Sequence, residues 1–423
     1  MNKFVALLAI ILVYGVAMVA GAEVLSEDEK NMSIAERTRI RLLIEDLANH
    51  RDAQLKATNT LIEIGEAAVP MLLRYLRSSN EDIRGNAAIV VGRIGSFNGI
   101  TPISALLRDP IYSVRFKAQD ALRFLARANS DAAMNDVTTA LKDLAKDKDD
   151  DVRAMAVEVL IEMNVPDFWE EVVDLLKDKA WKVRADAAKA LGGISAVADA
   201  SQQRTICEAI MPLLDDKEWQ VVRSASNALG FFLHLADMFI VAELDEEGKF
   251  KSFSPSPNRD LAYQIIDKLI GIAGATTPEV RCAAFYALGK VWLAKAPEKG
   301  DPIIKSLITG LDDSVAEVRL AAAASLGRVG NEEAVGALIA HLEETVPVVL
   351  NVIVESLRAR TLKSFGYQPY DIVEESPDEP IDTVEKYDEA RAILEEKRQE
   401  ALDKWKQWWE ESKDGFKVNP VIN

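Results

Sequence analysis

Histidine, cysteine and aromatic side chains are scarce in this sequence, and each scarcity closes off a class of chemistry. The three histidines are His50, His234 and His341. They stand far apart, and three isolated imidazoles do not assemble a zinc site or a serine triad. No Gly-x-Ser-x-Gly elbow is present, and Gly289-Lys290 lacks both the preceding glycine and the hydroxyl of a phosphate loop. Two cysteines, Cys207 and Cys282, are too few for a disulfide framework. Beyond the first residues there is no apolar run long enough to cross a bilayer. Positive charge is also outweighed: the net charge is -18. A field of that sign repels nucleic acid and anionic lipid, so any charge-selected partner should be basic or neutral.

What is present begins with a targeting pattern. Lys3 precedes an apolar run from Phe4 to Val19, and Ala20-Gly21-Ala22 supplies the small-x-small step that a signal peptidase reads. The polar stretch from Glu23 to Glu29 fits the start of a mature chain, so residues 1–22 are expected to be a signal peptide. Export to a periplasmic or extracellular location follows, without membrane insertion after cleavage; an uncleaved anchor is the alternative. The rest is rich in Ala, Leu, Val and charged residues, the composition of stacked helices with solvated faces.

Self-similarity decides the fold class. One phrase recurs: an acidic turn, then Val-Arg, then small residues at helical spacing, then Leu-Gly. It runs from Asp178 to Arg184, followed by Ala187, Ala188, Leu191 and Gly192, and again from Asp313 to Arg319, followed by Ala322, Ala323, Leu326 and Gly327. Weaker copies centre on Ile83-Arg84, Val114-Arg115, Val152-Arg153 and Val280-Arg281. Val183, Ala187, Ala188 and Leu191 share one helix face, and a second amphipathic stretch follows each copy, as in Phe168 to Leu176. A single hairpin cannot bury such a face; a stack can. The glycine after each leucine is expected to stop the first helix and turn the chain. The two cysteines fall in different repeats, beyond disulfide reach, and are expected to be buried free thiols.

The pattern resembles the HEAT-repeat family, in particular its short bacterial branch of phycobilisome-lyase-like repeats. The resemblance covers roughly Ile34 to Leu362 and implies an all-α fold, a right-handed α-solenoid of about nine hairpins, followed by a C-terminal helix. It also implies that an Asp before the helix and an Arg within it form a ladder of inter-repeat hydrogen bonds. The matching pairs are Asp109 and Arg115, Asp147 and Arg153, Asp178 and Arg184, and Asp313 and Arg319. In the copy at Trp219 the ladder position holds Val222, with Arg223 one residue late, so an interrupted ladder is expected there. An insertion from Ala242 to Asn258, with Gly248, Pro255 and Pro257, excludes regular helix and suggests a kink or a lip. The family's metal-dependent hydroxylases need paired His-Glu steps that this chain lacks.

The domain boundaries that follow are a repeat region over 23–362, an acidic Pro-containing linker over 363–383, and a Trp-rich helix and tail over 384–423. Asp147, Asp149, Asp151 and Glu158 sit at positions 1, 3, 5 and 12 of a calcium-loop pattern, but Val152 replaces its glycine. Tyr112, Trp181 and Trp219 each precede the ladder position by three residues. They are either packing residues or a ledge for a partner. Trp405, Trp408 and Trp409 share one face of the last helix and serve either as a cap or as a docking element. Together these features point to a non-enzymatic protein-binding scaffold, its groove lined by the second helices. An accessory or bilin-handling role is the alternative, with a closed pocket beneath the insertion. No catalytic residue and no cofactor is expected.

Overall fold

The computed structural model describes residues 32–127, 131–162, 169–194, 198–235, 238–244, 249–291, 293–367 and 384–418. The expected signal peptide, and most of the expected linker, lie outside the described residues. The chain divides into two compact units, residues 1–165 and 166–423. Each is built from helices stacked in two layers, so the all-α solenoid architecture expected from the repeat is what forms.

In the first unit, α1 (Ile34–Glu45), α2 (Arg51–Ile64) and α3 (Val69–Tyr75) lead into α4 (Glu81–Ile94). Then come α5 (Ile100–Ala105), α6 (Tyr112–Arg127), α7 (Asp131–Leu144) and α8 (Asp150–Glu162). Ser33 and Glu36 close a capping box at the start of α1, satisfying amides that the first turn leaves free. The Val-Arg helices α4, α6 and α8 form one layer, while α3, α5 and α7 form the other.

The second unit repeats the alternation. Its Val-Arg layer is α10 (Trp181–Gly193), α12 (Trp219–His234), α14 (Pro278–Leu288), α16 (Ala316–Val329) and α18 (Pro347–Thr361). The partner layer is α9 (Trp169–Leu175), α11 (Ala200–Ile210), α13 (Arg259–Ile272), α15 (Pro297–Gly310) and α17 (Glu332–Ala340). Val183, Ala187, Ala188 and Leu191 are all buried, as their spacing on one helix face requires.

The glycine of the Leu-Gly step does more than end a helix, although α10 does stop at Gly193, beside Gly192, and α14 at Leu288, just before Gly289. Gly230 and Gly327 lie inside α12 and α16, which run on to His234 and Val329. What each glycine permits is close approach of the next helix. A Cβ on Gly192 would sit 2.8 Å from the Ala228 Cα, and one on Gly230 would sit 3.0 Å from the Ala287 Cα. Gly192→Val is therefore expected to force α10 and α12 apart, costing about 1–3 kcal/mol or more. A lowered urea midpoint for the second unit is the readout.

The insertion is a β-hairpin, not a helix or an irregular loop. Strands β1 (Ile240–Leu244) and β2 (Phe250–Pro255) pair antiparallel, with Ile240 opposite Pro255. Its base is fixed to the stack: the buried Asn258 side chain donates to the Ala200 carbonyl at 2.7 Å, and Arg204 donates to the Pro257 carbonyl at 2.6 Å.

The final helix α19 (Val384–Ser412) folds back onto α17. Trp405 is fully buried, edge-on to Phe365 at 4.8 Å between ring centroids. Trp409 covers Gly336 of α17 so closely that a Cβ there would be 3.2 Å from the indole. Lys406 adds an ion pair to Glu343 at 3.0 Å. The start of the expected linker is also packed: Tyr367 is buried and its hydroxyl donates to Asn351 at 2.8 Å.

Candidate functional site

The arginine ladder organises the exposed faces, and its geometry differs from the pairs seen in the sequence. The arginine of a complete rung bonds twice. Its Nη1 donates to the backbone carbonyl at the preceding acidic position: Arg115 to Asp109, Arg153 to Asp147, Arg184 to Asp178 and Arg319 to Asp313, at 2.8–2.9 Å. The other edge of the fork reaches the carboxylate of the next repeat. Arg84 pairs with Asp109, Arg184 with Asp216, Arg281 with Asp313, and Arg319 with Glu344, each through two N–H donors. Such forks fix both distance and orientation between neighbouring helices.

Each acceptor also takes an amide two residues on, for example the Glu218 N–H to Asp216 at 2.9 Å. Burial pushes the Asp216 carboxyl up, but the Arg184 fork and that amide outweigh it and hold the group below the usual carboxylate range. Asp147 is served differently. Its partner is Arg108, at the end of the short 3-10 helix Leu106–Arg108, while Arg115 reaches Asp151 at 3.7 Å.

Sequence reasoning passed over Arg84, Asp216, Arg281 and Glu344 as rungs. The signal was available, because Arg84 and Arg281 sit in the weaker Val-Arg copies.

At α12 a rung is missing as a whole. Val222 occupies the arginine position and is buried. At the corresponding acceptor position before α14 stands Ala275, whose carbonyl takes Arg281 Nη1 at 2.9 Å. No charge is left orphaned by the gap. The late arginine, Arg223, points outward and lies over the Trp219 ring at 4.9 Å. It forms no ion pair among the described residues.

Beside it opens a cleft of about 600 Å³ across α12, α14 and α16. Arg223 and Asn227 form one wall, Cys282 and Tyr286 the middle, and Glu279 and Glu317 the acidic edge. Cys282 is thus half-exposed, unlike the fully buried Cys207, so the expectation of two buried thiols holds for only one. Burial raises both thiols above their ordinary range. A second cleft, of about 590 Å³, lies in the first unit between α5 and α7. Neither cleft is lined by the hairpin.

The other sequence candidates separate clearly. Tyr112 is exposed, with Arg115 5.4 Å from its ring centre. Trp181 and Trp219 are half-buried, and no ring contact joins them among the described residues. Trp405 has no surface to offer a partner, which removes it as a docking residue. Trp408 and Trp409 are half-buried and pack with Phe416 at 5.3 and 5.7 Å.

In the calcium pattern the carboxylates are turned to partners within the chain. Asp147 is held by Arg108, Asp149 accepts the Asp151 amide at the start of α8, and Glu158 accepts from Gln119. Among the described residues, no group of three His, Cys, Asp or Glu side chains converges to hold a metal. Among those residues too, no helix is long and apolar enough to cross a membrane.

Comparison with known proteins agrees with this geometry. The family model for HEAT repeats matches residues 137–230 and 266–358. No curated protein sequence matches the chain significantly. Among solved structures, a chain of the complex in which Kap95p acts on RanGDP aligns with a TM-score of 0.55 and 14% identity, over 75% of this chain and 47% of that one. YibA of E. coli aligns at 0.46 and 18%, covering 73% and 97%. An engineered protein aligns at 0.43 and 19%, covering 87% and 98%. The likeness to the chain of the Kap95p complex, at 14% identity, speaks for the fold alone.

Proposed function

We propose that this chain is a non-enzymatic scaffold that holds an extended segment of a protein partner on the Val-Arg face of its second unit. The observation that carries the reading is the cleft at the missing rung. There the chain departs from its own repeat and presents an outward guanidinium, a half-buried tyrosine, an amide and two carboxylates on one face. Mixed polar groups around a partly buried aromatic suit a peptide, whose backbone needs both donors and acceptors. HEAT repeats commonly serve as interaction scaffolds, and the Kap95p neighbour acts on RanGDP. The bacterial envelope or the extracellular space is the location that fits the N-terminal pattern. The face differs from the second-helix groove expected from sequence.

Cys282 provides the test. With Cys207 fully buried, a maleimide-linked photocrosslinker at alkaline pH is directed to Cys282. Expected from envelope extract is a protein crosslink at Cys282 that an Arg223→Glu/Tyr286→Ala variant loses while keeping its helicity. A coloured or small organic ligand copurifying, with no protein crosslinked, would sink this reading in favour of a bilin-handling accessory role.

A further inference from the structure

Beyond Tyr286, the cleft at the missing rung borders a pair of cations that nothing in the chain neutralises. Lys290 stands just past the end of α14, and Arg328 lies in the last turn of α16, at the same position of the next repeat. Neither forms an ion pair among the described residues, in a chain whose net charge is -18. The Lys290 ammonium lies 3.7 Å from the centre of the Phe231 ring. Burial pushes it below its ordinary range, and Arg328 adds to that push. Arg328 also acts on the Tyr286 hydroxyl, against the rise that burial gives it, so the pair adjoins the ring at the middle of the cleft. Two neighbouring like charges, one of them partly withdrawn from water, lack the anion that would offset their cost.

The opposite end of the same face carries the opposite sign. Glu279 and Lys290 on one helix, and Glu317 and Arg328 on the next, are each eleven residues apart. Eleven residues make three helical turns and return to one face. Opposite charges thus stand about 16 Å apart along each axis, on helices about 10 Å apart. Neither glutamate forms an ion pair among the described residues. Helix dipoles favour these signs at these ends, but they act on every helix of the layer. The corresponding residues of the second unit are Lys182 and Gly193 on α10, Gln220 and Phe231 on α12, and Val348 and Ala359 on α18. Within that unit the pattern is confined to α14 and α16, where the cleft lies.

We propose that the partner segment held on this face is zwitterionic: a lysine or arginine sits between Glu279 and Glu317 and, four residues along the extended segment, an aspartate or glutamate sits between Lys290 and Arg328. In an extended strand, residues four apart point to one side and stand about 13 Å apart, and the reach of two charged side chains covers the rest. Charge-assisted contacts at both ends then bracket Tyr286. This pairing rests on the scaffold reading and adds what the partner must carry.

The test uses the full chain and two acetylated, amidated heptapeptides of one composition and no net charge. In Ser-Lys-Ser-Ala-Ser-Glu-Ser the charges are four apart; in Ser-Ser-Lys-Glu-Ala-Ser-Ser they are adjacent. The readout is protection of Cys282, in the middle of the cleft, from a maleimide as peptide is added. Saturable protection is expected from the spaced peptide, at a concentration about ten-fold or more below that needed of the adjacent one, which can satisfy only one end. Lys290→Glu/Arg328→Glu should turn the preference toward a peptide with lysine in both charged places. If that variant does not fold, Arg328→Glu alone, at an exposed position, should abolish the ten-fold preference. A preference unchanged in these variants overturns the proposal. Equal protection by both peptides keeps the cleft as a peptide site and overturns the charge pairing. No protection by either also overturns it, and leaves the scaffold reading to its own crosslink.

Discussion

Arg184→Ala is expected to destabilise the second unit by about 3–5 kcal/mol, the cost of leaving a buried carboxylate without its counter-charge. Arg184 and Asp216 are both about nine-tenths buried as side chains, and two short N–H bonds of 2.8 and 2.9 Å join them. The same change also frees the Asp178 carbonyl from Arg184 Nη1. Hydrogen exchange over α10 to α12 is the suitable measurement, because local opening there precedes loss of the whole stack. Arg184→Met combined with Asp216→Leu should recover most of the loss, since an apolar pair of similar volume carries no desolvation penalty. If the double variant is as unstable as the single, the rung is worth its hydrogen bonds rather than its charge balance.

Acid separates the same variants. Asp216 has a depressed pKa when folded, so its contribution is present above the unfolded value, about 3.9, and is lost as pH falls through the folded one. In Arg184→Ala the burial that raises the carboxyl remains without the fork that lowered it. Its destabilisation is then greatest at neutral pH and is relieved as the carboxyl protonates. The stability gap between wild type and variant should therefore close on acidification.

The second large effect is expected at the other end of the unit. Trp405→Ala should cost about 3–5 kcal/mol of local stability, the range for emptying a buried aromatic position. The apolar face of α19 is short: Ala401, Leu402 and Trp405 are buried, with Trp408 and Trp409 beside them. With its central ring gone, that face cannot hold a long charged helix on α17. Exchange protection over 384–412 should fall nearly to that of an unfolded chain, and the emission of Trp408 and Trp409 should shift to the red. Uncovering Gly336 and its neighbours also exposes the end of a stack, so association that grows with protein concentration is expected. A variant that keeps α19 protected would show that the ion pair of Lys406 and the contacts of Phe416 suffice.

How much of this was legible depended on distance along the chain. Val183, Ala187 and Leu191 announce a buried helix face because their spacing is local. The ladder was visible as residue types, but its true partners lie 25 or 32 residues apart across loops of variable length, as in Arg319 with Glu344 and Arg184 with Asp216. Asp and Arg six apart looked like a pair and proved to be linked through the aspartate's carbonyl. Gly192 and Gly327 read locally as helix stops, which holds near Gly192 alone, and the atoms that demand glycine at both belong to the neighbouring helix. In the insertion, Gly248 and Pro255 masked the short strand pattern that forms the hairpin. The α5–α7 cleft left no motif at all, because its residues come from two helices whose side chains meet only after folding.

The empty rung has a mechanical consequence. Elsewhere in the second unit, guanidinium forks act as cross-ties of fixed length between adjacent helices, and such ties resist shear as well as separation. Between α12 and α14 that tie is gone, and contacts such as Gly230 on Ala287 remain. Apolar contact is non-directional and tolerates sliding far better than a bidentate bond does. Under load the unit should yield first at this joint, so the strip of surface that holds the outward arginine is also its most compliant, able to open or close around whatever it grips.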